Sequence, residues 1–510
     1  MNQSNEKVLL FDELVKKVAE LKAAGKTVVQ SHGIYDLIHP GIVMHLDDAR
    51  KQGDVLVVTV IKDKDVRRGP GRPIFPEEMR ALNAAALTQV DYVCIVDDEI
   101  PHNCVNLLRP NIFAKGVGGF RNRHGDVHEK LLTEEKGLYF DRIAIHETKG
   151  ASFSASTVIK DFLDIYPEDT KKFLHGIAGK YGFESISARL NSLKDMKVLL
   201  IGDGIIDEYC YCTMMGRSSK ANLVVNQFVA QEVFAGGAFA IANHIASFCD
   251  HVDLVTLLGN QDSREDFVAV NLKPNVRAKF FIRDDAPTVI KRRYIQQHNN
   301  QKLFEINHLN DVYVDDGLER EIVGHLEKVI GNYDVILISD FGHGFITKDI
   351  YGVVERSKVK FGVNTQTNGA NTGYNLITKY HNPYFVCLDE GEVRLASQDR
   401  FGDIVNVAAK VARSINAGNM IVTLGKKGSM GIDKNGEVNI TPIFSSKVVD
   451  TVGAGDAFFA YAAPCLASGM PLDLVSFIGN AVGALAVQII GNKKSVEKYE
   501  LLEFVHAILK

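Results

Sequence analysis

Apolar residues fall along the chain in two alternating series. In the first, Thr27–Gln30, Val55–Ile61 and Asp91–Val96 are short runs that read as buried parallel strands. Between them, Ile42–Lys51 and Pro76–Leu87 space their apolar residues as helices do. That β-α-β-α-β order predicts a doubly wound sheet with ligands at the carboxyl ends of its strands. From about Lys160 to Asp195 the pattern turns helical and charged, without the Gly/Ser/Pro run of a flexible linker. The second series has strands at Lys197–Ile201, Asp253–Leu258, Asp334–Ser339, Tyr384–Leu388 and Met420–Leu424, then two C-terminal helices. Within it, Tyr209–Val233 and Lys279–Ile306 carry short alternating runs that predict a small sheet, or lid, over the site. The expected organisation is an α/β domain over 1–160, a helical connector over 161–195 and a larger α/β domain over 196–510.

Composition adds exclusions. At 510 residues the chain is too long for one ordinary core. Hydrophobic residues make up 46% and charged residues 24%, which argues against disorder. A net charge of −5 leaves no electrostatic footprint for nucleic acid or an anionic membrane. The longest apolar stretch, Val475–Ile490, is interrupted by Asn480 and is short for a membrane span, so it reads as a buried helix. The N-terminus is polar, unlike a secretory signal. Seven cysteines lack framework spacing, and Cys210-Tyr211-Cys212 is no zinc knuckle. A soluble, cytoplasmic chain with reduced thiols is expected.

The sharpest chemical signal is DTVGAGDAFFAYAAP, starting at Asp450. Gly453-Ala454-Gly455 enters an alanine-rich helix, where unpaired N–H groups and the helix dipole favour an anion. Asp456 at the start of that helix can take a proton from an acceptor hydroxyl while a phosphoryl group rests on the glycine amides. The segment resembles the signature of ribokinase-like sugar kinases, and the resemblance runs from Lys197 to the C-terminus. Asp207, Gly236-Gly237, Asp340–Gly344, Thr423-Leu424-Gly425 with Gly428, and Asp450–Asp456 follow the family's order.

The resemblance implies a ribokinase-like doubly wound α/β domain with a small β lid, using ATP as phosphoryl donor. It implies Asp456 as general base and Gly453, Ala454 and Gly455 as anion hole. Thr423, Gly425 and Gly428 would meet the nucleotide, and Asp207, Gly236 and Gly237 the sugar. Glu392, in Asp389–Glu392, would organise Mg²⁺. A homo-oligomer formed through the lid is a further family-level expectation. Three positions depart from the family: Ala240 stands for an asparagine, Asp389 for another, and His343 where heptose kinases carry lysine. Removing a buried polar partner in this way changes substrate discrimination.

Near the N-terminus the first strand leads into Gly33-Ile34-Tyr35-Asp36 and then His39-Pro40-Gly41. Pro40 suits a first helical turn, the helix N-terminus faces an anion, and His39 can donate to a phosphate. From Lys26 to Lys160 the chain resembles sugar-phosphate cytidylyl- and adenylyltransferases, whose sign is an H-x-G-H helix. Gly71-Arg72-Pro73, Lys115-Gly116 and Ser154–Thr157 are further matches. The resemblance implies a Rossmann-like sheet and ATP or CTP as nucleotidyl donor. His39 and Lys115 would act on the transferring phosphates, with Gly33, Tyr35, Gly41, Arg72, Ser156 and Thr157 at the nucleotide. Ile42 replaces the second histidine of the motif. His45 lies about 120° from position 39 around the helix and further from its N-terminus, so it is a poor substitute; His32 is less constrained.

Together the halves resemble the bifunctional heptose-phosphate kinase/nucleotidyltransferases of lipopolysaccharide precursor synthesis, with the domain order reversed. The function this implies is phosphorylation of a sugar or sugar phosphate (heptose 7-phosphate-like) and nucleotidyl transfer to a sugar 1-phosphate. The alternative is a sugar kinase with a degenerate, nucleotide-binding or structural N-terminal domain.

Overall fold

The computed structural model describes residues 6–66, 73–97, 102–116, 143–148, 166–369, 371–445 and 448–509. Two compact units result: Met1–Glu168 with Glu503–Lys510, and Asp169–Leu502. The helical stretch Glu168–Asn191 clusters with the second unit from Asp169 on.

In the first unit β1 (Val28–Gly33), β2 (Val55–Ile61), β3 (Tyr92–Val96), β4 (Ile112–Gly116) and β5 (Ala144–Thr148) form a parallel sheet of order β3-β2-β1-β4-β5. All seven residues of β2 are buried, as a strand covered on both faces requires. The order reverses beside β1, which places a crevice at its carboxyl end. Arg80, on the helix Glu77–Ala85, is fully buried there. It donates to the carbonyls of Ile34, Ile61 and Phe75 and to the Asp63 carboxylate, tying together the loops that leave β1 and β2.

In the second unit the strands are β6 (Lys197–Gly202), β7 (Gly204–Arg217), β8 (Val224–Gly237), β9 (His251–Gly259), β10 (Val276–Arg283), β11 (Ile290–Gln296), β12 (Gln301–His308), β13 (Val335–Asp340), β14 (Lys360–Thr365), β15 (Phe385–Asp389), β16 (Asn419–Thr423), β17 (Ser429–Asp433) and β18 (Val438–Thr441). Nine make the main sheet, ordered β10-β9-β6-β13-β14-β15-β16-β17-β18, parallel up to β16 and antiparallel beyond it. The others form the expected small sheet, β12-β11-β7-β8. The expected lid strand over Lys279–Ile306 is divided: Val276–Arg283 pairs with β9 in the main sheet, and only Ile290 onward joins the small one. Val475–Ile490 is largely the buried helix Leu472–Ala486, and no helix among the described residues is long and apolar enough to cross a membrane.

Replacing Arg80 by Met leaves three carbonyls, that of Ile61 buried and those of Ile34 and Phe75 half-buried, without their donor. We expect a loss of about 3–5 kcal/mol in chemical denaturation; an unchanged midpoint would show that the arginine network does not hold the first unit.

Candidate functional site

In the second unit a cavity of about 370 Å³ opens where the carboxyl ends of the main strands meet the small sheet. Its wall brings together Asp207, Gly237, Glu392, Thr423, Gly453, Gly455 and Asp456 from the sequence expectation. Gly425 and Gly428 are not among its lining residues. Gly428 shapes the β16–β17 turn, with φ +94 and the Thr441 carbonyl where a side chain would begin.

Gly453 caps the helix Ala454–Ala467 with φ +80, a conformation natural to glycine, and an added Cβ would collide with Asn492. The Ala454 N–H turns back to Thr451 O at 3.4 Å. Within the first turn Asp456 is buried, and among the described residues its hydrogen bond comes from the Gln366 amide at 2.5 Å. Burial raises its proton affinity to about 7; Asp207 adds to the rise, while Gln366 and Lys291 oppose it. A helix start, an acid poised near neutrality and an open cavity are what proton removal from a bound hydroxyl needs.

Asp207 projects from β7 and accepts from Arg293 and, at 3.0 Å, from the Asn492 amide. Gly236 backs directly onto this carboxylate. Beside Asp207 in the sheet register is Lys291 on β11. It is only 8% exposed and has no ion pair among the described residues, and burial lowers its pKa. Ala240, the family's asparagine position, is buried away from this cavity; it is Asn492 that presents an amide to Asp207. His343 is buried too. Burial and Lys291 push its pKa down to about 3, so the ring is neutral.

Asp389 and Glu392 form a reciprocal cap on the helix Glu390–Ser397. Burial and the neighbouring Asp389 raise the Glu392 pKa to about 8. Two carboxylates on one cavity wall suit Mg²⁺, which typically takes one or two carboxylates plus phosphates and water.

Lys291, Arg293, Gln366 and Asn492 do not stand out in the sequence. The lysine and arginine do carry a readable signal, two cations spaced to share one face of a lid strand. A larger hollow of about 470 Å³ lies between β8 and the Asn492–Glu497 segment. Lysines in its wall are already paired, Lys273 with Glu497 and Lys493 with Glu232.

In the first unit His39 precedes the helix Pro40–Arg50, its carbonyl accepting from the Ile42 and Val43 amides, and its side chain is buried. Gly33 ends β1, Gly41 lies in the first helical turn, and Lys115 stands near the end of the neighbouring β4. Tyr35 turns inward, with φ +52, and gives its hydroxyl to Ser31 at 2.7 Å. His45 is held between Ser31 and Thr148, and Ile42 packs on the core. His32 meets Thr59 at 3.0 Å. Arg72, Ser156 and Thr157 lie outside the described residues.

Comparison with known proteins fits both halves. Residues 196–498 match the family described as pfkB family carbohydrate kinase, and residues 31–160 match the family described as cytidylyltransferase-like. The chain is 25% identical over 316 residues to "Bifunctional protein HldE" of Haemophilus influenzae, covering 62% of this chain and 64% of that protein. It is 40% identical over 166 residues to the protein of that name from Syntrophotalea carbinolica, covering 32% of each. The Escherichia coli phosphofructokinase-2 structure in complex with potassium aligns with TM-score 0.50 at 15% identity, covering 62% of this chain and all of that one. The second unit therefore has the ribokinase-like fold, and the parallel sheet of the first is Rossmann-like.

Because Asp456 holds its proton more tightly when folded, against an ordinary value of 3.8, its ionisation subtracts stability as pH rises from there towards about 7. Asp456→Asn should therefore raise the melting temperature above pH 7, a gain that shrinks towards zero as pH falls to 3.8. A difference independent of pH would contradict the burial of an ionising carboxyl.

Proposed function

The chain belongs to the pfkB carbohydrate kinase family, and on that premise we propose that it is a bifunctional sugar-activating enzyme. Its second unit phosphorylates a sugar phosphate with ATP; its first transfers a nucleotidyl group from ATP or CTP to a sugar 1-phosphate, releasing pyrophosphate. The observation that carries the kinase reading is Asp456, buried on the cavity wall at a helix start and paired with no cation among the described residues.

In the phosphorylation step, Asp207 and Asn492 orient the acceptor, and Asp456 takes the hydroxyl proton as the oxygen attacks the γ-phosphorus of ATP, whose bond to the β,γ-bridging oxygen breaks to release ADP. Amides of Gly453, Ala454 and Gly455 hold the phosphoryl oxygens. Thr423, with Gly425 and Gly428 in the turn beyond it, serves the nucleotide. Mg²⁺ held near Glu392 and Asp389 would neutralise charge on the phosphates. Lys291 supports a phosphorylated acceptor such as heptose 7-phosphate, because a buried ammonium with no ion pair among the described residues is costly until an anion arrives.

In the first unit His39 and Lys115 attend the transferring phosphates, with Gly33, Gly41, Arg72, Ser156 and Thr157 at the nucleotide. The product is a nucleotide sugar of the lipopolysaccharide type, made in the cytoplasm. All seven cysteines are buried and none is joined in a disulfide among the described residues, in keeping with that compartment. Exposed apolar residues on the small sheet, among them Met214, Met215, Val224 and Phe228, favour a homo-oligomer.

A second reading, a kinase whose first unit binds nucleotide without turnover, is favoured by Ile42 and by the inward commitment of Tyr35 and His45. Loss of one oxyanion donor costs about 10²–10³ in rate. The two readings separate in one assay set: ADP formation from ATP with sugar phosphates, and pyrophosphate release from ATP or CTP with sugar 1-phosphates. Both products are expected, and Ile42→His should raise pyrophosphate release. ADP without pyrophosphate from any donor would leave only the kinase.

A further inference from the structure

Asp450 opens the turn that carries the anion-hole glycines, and its carboxylate is buried. Four donors from separate parts of the unit converge on it. Lys302 Nζ at 2.6 Å and the Val452 N–H at 3.1 Å reach one oxygen. The Tyr209 hydroxyl at 2.6 Å and the Gly491 N–H at 2.9 Å reach the other. Burial alone would push this carboxyl up, but the hydrogen bonds, led by Lys302, outweigh it and hold it below the ordinary range.

Of those four donors only Lys302 carries a charge, and its position is built. It stands on β12, the edge strand of the small sheet, paired with β11 alone. The register slips there: Tyr294 faces Phe304, while Ile295 faces Lys302. A bulge of this kind re-aims side chains. The ammonium also lies 5.9 Å from the centre of the Tyr209 ring.

A buried carboxylate at the head of the anion-hole turn would repel the phosphate that the turn is shaped to hold, and at 8% exposure solvent screens it poorly. We propose that Lys302 is a positioning residue: a half-exposed cation whose ammonium neutralises the buried Asp450 and so sets the turn Asp450–Gly453 to receive phosphate. It does this from the small sheet, so the sheet and the anion hole are held in register by this ion pair together with the Tyr209 hydrogen bond from β7. The proposal rests on the kinase reading of the same cavity.

The test compares the full chain with Lys302→Met, Lys302→Gln and Lys302→Arg, reading ATP affinity by calorimetry and ATP turnover with a sugar phosphate. The side chain is 37% exposed, so these replacements leave the fold intact, which circular dichroism checks. Met and Gln should each weaken ATP binding and lower kcat on the order of tenfold, with the sugar-phosphate KM within about twofold. Arg should keep most of both. Ammonium ion should restore the Met variant at matched ionic strength, whereas tetramethylammonium, too large for the vacated space, should not. A Gln variant equal to the parent would overturn the proposal, because charge would not be needed; so would a Met defect that neither Arg nor ammonium relieves. A parent that binds ATP but phosphorylates nothing sinks the kinase reading alone, and the ATP affinities still decide Lys302. A parent that binds no ATP overturns both.

Discussion

Asp456 lies in the first turn of a helix whose following residues, Ala457 to Leu466, are all buried. The carboxylate is 6% exposed, and among the described residues its hydrogen bond is to a neutral amide. Burying a charge in this way is unfavourable unless something offsets it. The helix start supplies positive potential, and the cavity in front supplies a place for a proton donor. Much of the second unit follows from that requirement. Gly453 must adopt φ +80 so that the helix can begin at this point, and Asn492 closes in behind it. Strand β14 must end where Gln366 reaches Asp456, and Asn364 accepts from the same amide at 3.2 Å.

Long apolar runs are the most legible part of the sequence: β2, β6, β13 and β15 lie within a residue or two of where periodicity places them. Strand β14 escapes because Gly362 and Asn364 break its apolar run, and with it escapes Gln366, the hydrogen-bond partner of Asp456. Period-two alternation identifies a strand without saying which sheet it joins. For that reason β10 reads as part of the lid although it pairs with β9. Asn492 reaches Asp207 across 285 residues of chain, a pairing that no local pattern carries. Arg80 shows the opposite limit. A charged residue in an amphipathic helix reads as solvent-facing, yet it is wholly buried because three carbonyls and an acid await it.

The two units differ in how freely their polar side chains can act. In the second, Lys291, Asp456 and Glu392 face a cavity, and charge is held unbalanced where a substrate would balance it. In the first, Tyr35, His45 and Ser31 satisfy one another inside the core, and Ile42 fills the place of a donor. Packing has therefore taken up residues that catalysis could have used. The ends of β1 and β4 and the start of the helix Pro40–Arg50 leave their backbone at the carboxyl edge of the sheet, where the proposed nucleotide would sit.

If the buried Asp456 is the base of a sugar-phosphate kinase, its protonation state is the most direct handle on the reaction. The measurement is the pH dependence of kcat/KM for ATP-dependent phosphorylation. An acid limb with an apparent pKa of about 7 is expected, the rate rising with pH as Asp456 loses its proton and levelling above it. A rate that stays flat between about pH 5 and 9 would contradict Asp456 as the base.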